Sequence, residues 1–64
     1  MSELDRLEHQ LQRLDCCLAD TALALVAAEQ VVDEREVTKL LWRHGITKRV
    51  RRELYGWADA ARSR

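Results

Sequence analysis

Residues 4–32 read LDRLEHQLQRLDCCLADTALALVAAEQVV. Within this stretch Leu4, Leu7, Leu11, Leu14, Leu18, Thr21, Leu25, Ala28 and Val32 recur at alternating spacings of three and four, without a miss. A line repeating about every 3.5 residues keeps to one face of a helix only when that helix winds slightly around another. The spacing predicts a long coiled-coil-type helix over residues 2–32. In a chain of 64 residues the expected partner is a second copy. Leu4, Leu7, Leu11, Leu14, Leu18 and Leu25 are then the dimer interface.

A chain this short is in the size range where a single core is marginal and association is a common remedy. Apolar residues make up 47% of it, but with two Trp, one Tyr and no Phe the core must be built from Leu, Val and Ala. Such a core suits closely packed helices. Proline is absent and there are two glycines, so helices meet few interruptions. The expectation is an all-α homodimeric helical bundle, one domain over 1–64, with a dimerisation helix at 2–32 and a basic helical pair at 33–64.

Ser2 is placed to cap the first helix, with Glu3 and Asp5 in the first turn, where the helix dipole favours anions. From Ala22 onward Leu23, Val26 and Val31 widen the apolar stripe. That predicts cover on two sides, by the partner chain and by the C-terminal helices. No Gly or Pro stands before Gly45, so the helix is free to run on that far. Asp33 followed by Glu36 favours a break instead, as a capping box stapled by Val32 and Val37. A second helix, roughly Glu34 to His44, then places Val37, Leu40, Leu41 and His44 on one side, and Gly45 ends it at positive φ. Thr47 caps a third helix from Lys48 to Tyr55 or beyond, with Val50, Leu54, Trp57 and Ala61 inside. Gly56 weakens that helix, and an end there would fold Trp57 back as a lid.

The net charge of zero hides two opposed halves. Residues 1–34 hold two Arg against eight Asp and Glu, net −6, and residues 35–64 hold nine Lys and Arg against three acids, net +6. A split of this kind implies an anionic partner for the basic half or a contact between the halves. On a helical wheel of the third helix, Lys48, Arg51, Arg52, Tyr55 and Arg62 fall opposite Val50, Leu54 and Trp57, with Arg49 on the flank. Lys48, Arg49, Arg51, Arg52 and Tyr55 are the candidate nucleic-acid contacts. Guanidinium groups neutralise phosphates and fork onto guanine edges, and an interleaved Tyr contacts phosphate or stacks on a base.

Leu41, Gly45 at the turn, Ile46 after it, and Val50 and Leu54 beyond make the segment from Val37 to Leu54 resemble the helix-turn-helix of DNA-binding regulators. A small corner residue lets two short helices cross steeply while apolar residues fill the crotch. The resemblance covers under a third of the chain, and Leu41 is bulky where the family has a small residue. The helix that precedes such a pair would have to be the first helix. The resemblance implies duplex DNA as the ligand, read by the paired basic helices of a dimer.

The same arginines have another use, docking on acids of the first helix. In the heptad register Glu8, Asp15 and Glu29 sit at e, and the g residues Gln10, Cys17, Ala24 and Val31 bring no positive charge. These acids are either solvated or await a basic surface, in this chain's own C-terminal half or in another protein. Trp42 lies about 140° around the second helix from Val37, off the apolar face; such a Trp most often packs against a neighbouring chain, sometimes serves a foreign partner and least often stacks on bases, which makes it the candidate partner contact. His9 at an outward position is expected to be solvated, and His44 beside Gly45 compensates a helix end.

Adjacent Cys16 and Cys17 point about 100° apart on a helix and have no further ligand set, so neither a zinc site nor a disulfide framework is expected. Reduced thiols in a cytoplasmic protein are, with Cys17 flanking the seam as the place where oxidation would join two chains. No charged segment leads into a secretory-type apolar run, and Ala22 to Ala28 is too short to span a bilayer. With no phosphate loop and no nucleophile spaced with His and Asp, no enzyme, cofactor, metal or small-molecule substrate is expected. The expected function is a small dimeric regulatory protein that binds nucleic acid, duplex DNA first, through its basic third helix. The alternative is a non-enzymatic adaptor or inhibitor of phage or plasmid type. It would bind a host protein through Trp42, the acidic first helix or the basic patch.

Overall fold

A computed structural model describes residues 2–13 and 18–63. The described residues form four helices and no strand: α1 (Glu3–Gln12), α2 (Leu18–Val31), α3 (Glu34–Arg43) and α4 (Lys48–Arg62). The all-α expectation holds, but the single long first helix is replaced by two. α1 and α2 pack against each other. The Thr21 hydroxyl donates to the Gln10 carbonyl at 3.3 Å, across eleven residues. Along one continuous helix such residues would be about 16 Å apart, so the chain folds back on itself.

Folding back turns the leucine seam inward. Leu7, Leu11, Thr21, Leu25 and Ala28 are buried within the one chain, and Leu4 and Val32 partly so. Of the leucines expected to meet a second copy, Leu7, Leu11 and Leu25 are therefore already covered by the chain's own helices. Leu18 is 38% exposed, and Leu14, Asp15, Cys16 and Cys17 lie outside the described residues. The physical reason is simple. A seam of this period reports that two helical faces meet and is blind to whether a turn or a second molecule joins them. Thr21 adds a second donor to the Gln10 carbonyl, which already accepts from the Arg13 amide at 3.0 Å where α1 ends.

α2 is the centre of the fold, with α1 and α4 packed on it and α3 touching it more lightly. That is why it is apolar nearly all round. Ala22, Ala24 and Ala28 are buried and let the neighbouring helices approach closely, while Leu23 and Val31 face outward, 39% and 69% exposed. One core cluster joins residues of all four helices, from Leu7 to Ala58. No helix among the described residues is long and apolar enough to cross a membrane.

The local signals at helix ends act as read at Ser2 and in part at Asp33, where the expected bond from Glu36 back to the Asp33 amide does not form. Ser2 accepts from the Asp5 amide at 3.2 Å, and Asp33 breaks the chain as expected, accepting from the Arg35 amide at 3.0 Å. α3 then buries Val37, Leu40 and Leu41 and leaves His44 half-buried. Gly56 does not end α4, which continues to Arg62. The buried positions there are Leu54 and Ala58, one helical step apart, and Trp57 is 49% exposed rather than a lid. One glycine costs a helix about 1 kcal/mol relative to alanine, less than the packing of that face returns.

Candidate nucleic-acid interface

The corner between α3 and α4 is built by a Schellman motif. The Gly45 amide donates to the Trp42 carbonyl at 3.0 Å and the Ile46 amide to the Leu41 carbonyl at 2.8 Å. Gly45 takes φ 71°, the left-handed conformation that closing this motif requires. Leu41 and Ile46, the apolar pair that usually accompanies the motif, are both buried. The Thr47 hydroxyl oxygen then caps α4 by accepting from the Val50 amide at 3.3 Å. The corner therefore fixes where α4 starts and which side chains leave its first turn.

That first turn is electrostatically unusual. α1, α2 and α3 each carry an acid in the first turn, and α4 carries none. It begins Lys48, Arg49, Val50, Arg51. Cations at the positive end of a helix dipole are disfavoured by a few tenths of a kcal/mol each, and a bound anion would reverse that sign.

The five candidate contacts divide into two groups. Lys48, Arg49 and Arg52 are exposed. Arg49 meets Glu53 at 4.0 Å with side chains 90% and 62% exposed, which is a loose, solvated contact. Neither Lys48 nor Arg52 has an ion-pair partner among the described residues. Arg51 and Tyr55 turn the other way. The Arg51 guanidinium pairs with Glu29 Oε1, and the Tyr55 hydroxyl donates to Glu29 Oε2. The Arg51 and Glu29 side chains are only 23% and 18% exposed. Arg51 and Tyr55 thus clamp α4 onto α2. The contact has a geometric cause: α4 rests on Leu54 and Ala58, and Arg51 lies only about 60° around the helix from Leu54.

The clamp shifts both groups. Burial works against the Arg51 charge, but hydrogen bonds to Glu29 and Tyr55 and the attraction of the carboxylate outweigh it, so its pKa is raised. The Tyr55 phenol is also raised above its ordinary value of 10.0, first by burial and then by its bond to Glu29, with Arg51 opposing.

Glu29 was legible only as an acid awaiting a base; the fold supplies Arg51 across 22 residues. Glu8 likewise meets Arg43 at 3.4 Å, joining α1 to α3. Both acids of the e positions within the described residues have found the chain's own basic half. A further feature escapes sequence reasoning. Arg35, Lys39 and Trp42 follow at i, i+4 and i+7 on α3 and are all exposed, Trp42 by 79%. Trp42 also walls a groove of about 110 Å³ between α3 and the start of α4, shared with Thr38, Leu41, Ile46, Thr47, Lys48 and Arg51, the last of these engaged with Glu29. An indole this exposed leaves roughly 3–4 kcal/mol of burial free energy unrealised. Comparison of the chain with protein-family models, curated proteins and solved structures gave no match.

Proposed function

We propose that the chain is a nucleic-acid-binding module that takes duplex DNA on the exposed face of α4, within a helix-turn-helix-like frame of α2, α3 and α4. One observation carries it: Lys48, Arg49 and Arg52 stand exposed on the first two turns of a Thr47-capped helix whose opening turn holds no acid. The start of the second helix of such a pair is the part that reaches base edges in the major groove. The pattern also calls for a bracing helix ahead of the pair, and α2, packed on both α3 and α4, supports that role. Arg51 and Tyr55 hold the helix in place and are not proposed as contacts. Nor does the proposal need a dimer, since the core of the leucine seam is covered within one chain.

The test is the anisotropy of a labelled mixed-sequence duplex followed across salt. Three neutralised phosphates give a slope of log affinity against log salt of about −3, roughly forty-fold weaker binding between 50 and 200 mM. Replacing Arg49 and Arg52 together by Ala brings the slope to about −1 while the thermal midpoint stays put. No retention on duplex DNA at low salt overturns the proposal. A protein partner is the second reading, and exposed Trp42 is what favours it.

A further inference from the structure

Trp42 is the most exposed large apolar side chain among the described residues, and the α4 surface makes no use of it. Its neighbours along the exposed row of α3 are Lys39 and Arg35, and across the groove it faces Lys48. Glu34 and Glu36 lie about 100° to either side of Arg35 around the helix, off that row. Among the described residues neither Lys39 nor Lys48 is engaged in an ion pair. An aromatic face is thus framed by unneutralised cations.

We infer that Trp42 is a stacking platform for an unpaired base, so that the preferred ligand is DNA in which a single-stranded segment adjoins the duplex held by α4. This rests on the nucleic-acid reading above and adds to it. A duplex shows a protein the edges of its bases, because their faces are stacked on one another. A single strand can turn a base face outward, and an indole then binds it with little regard to sequence. Lys39 and Lys48 stand on either side of Trp42 to hold the phosphates of the same strand. Lys48 belongs both to this groove and to the α4 face, which makes the two surfaces continuous and lets one strand cross from one to the other. An apolar peptide anchor would call for an apolar rim, whereas cations flank this row. Charge complementarity therefore selects a polyanion with a flat aromatic group.

The experiment uses the Trp57→Phe variant, in which Trp42 is the remaining tryptophan. It is titrated with a blunt DNA hairpin and with the same hairpin carrying a short single-stranded tail. The tailed hairpin is expected to quench the emission and to bind more tightly than the blunt one. Followed by the anisotropy of labelled hairpins, Trp42→Ala is expected to lose about ten-fold in affinity for the tailed form and nothing for the blunt form. Because Trp42 is exposed, that variant is expected to fold, which far-ultraviolet dichroism checks. Equal affinity for the two hairpins with unmoved emission overturns the inference and leaves the duplex proposal standing. Failure to bind either hairpin removes the nucleic-acid reading itself. In that case, quenching by an acidic peptide would assign the groove to a protein partner.

Discussion

Arg51 and Arg52 leave the same turn of α4 about 100° apart, and that angle separates two kinds of surface. On the Arg51 side, guanidinium, phenol and the Glu29 carboxylate close on one another against α2. On the other side Arg49 and Arg52 stand in solvent, with one distant carboxylate for company, while exposed Lys48 borders the α3–α4 groove beside Arg51. The two flanks have nearly the same composition and opposite uses. One has its charge neutralised within the chain and contributes to folding, and the other contributes little to folding and leaves its charge in solvent. A helix's count of basic residues therefore says little about the charge it can offer a partner. What decides it is where the neighbouring helix places its acids.

The largest effect expected from breaking this contrast comes from Glu29→Gln. Removing one member of a fully buried ion pair costs about 3–5 kcal/mol. At 23% and 18% side-chain exposure solvent screens part of that, leaving about 1–2 kcal/mol to be read as a lowered urea midpoint. The same change releases Arg51, so the salt slope for duplex DNA should steepen by about one. Stability and binding thus move in opposite directions. Arg52→Ala should do the reverse, flattening the slope with stability within about 0.5 kcal/mol of the parent. A Glu29→Gln protein as stable as its parent would show that the clamp does not set the position of α4.

The next effect is a pH dependence confined to the closed flank. The folded-state pKa of Tyr55 is raised above its ordinary value of 10.0, by burial first and by Glu29 second. A group whose pKa is raised on folding contributes stability in full below its unfolded value and loses it as pH climbs through the folded one. Stability should therefore hold up to about pH 9 and fall above about pH 10. Arg51 is raised as well and stays charged throughout, so it adds nothing to this limb. Urea midpoints measured across the alkaline range check the prediction. In Tyr55→Phe the alkaline fall should be shallower, and an unchanged fall would place its origin elsewhere.

These effects bear on what sequence could reveal. Signals complete within four or five residues were legible: the caps at Ser2, Asp33 and Thr47, and the Gly45 corner. Each depends on a side chain and a backbone group whose separation the helix itself fixes. Signals that need a partner from elsewhere were legible only in part. The seam correctly announces that Leu7, Leu11 and Leu25 are buried, but its period is the same for a hairpin as for a dimer. Thr21 is the residue that discriminates, since its seam hydroxyl bonds across to the Gln10 carbonyl at the end of α1. For α4, shifting the centre of the buried face from Val50, Leu54, Trp57 and Ala61 to Leu54 and Ala58 is enough to bring Arg51 against Glu29 on α2. Of the candidate site, then, the basic helix was readable and its division was not. The row of Arg35, Lys39 and Trp42 has helical spacing in plain view, yet its significance depends on the groove that only the α3–α4 corner creates.

The smallest effect tests the open flank alone. Glu53→Gln removes the carboxylate that meets Arg49 at 4.0 Å, in a pair 90% and 62% exposed. The order, Arg before Glu at i,i+4, is also the weaker of the two for a helix. Stability should change by no more than about 0.3 kcal/mol. Binding should respond more, because Glu53 sits one turn beyond Arg49 on the face offered to phosphate. Losing its charge should tighten duplex binding about two- to three-fold at low salt, with the gain fading as salt screens it. Weaker binding would carry a different message: the Glu53 carboxylate accepts from a cytosine amino group in the major groove. The open flank would then read sequence as well as grip the backbone. A small change in affinity whose sign depends on the base opposite Glu53 would separate those two uses of a face that stability measurements cannot tell apart.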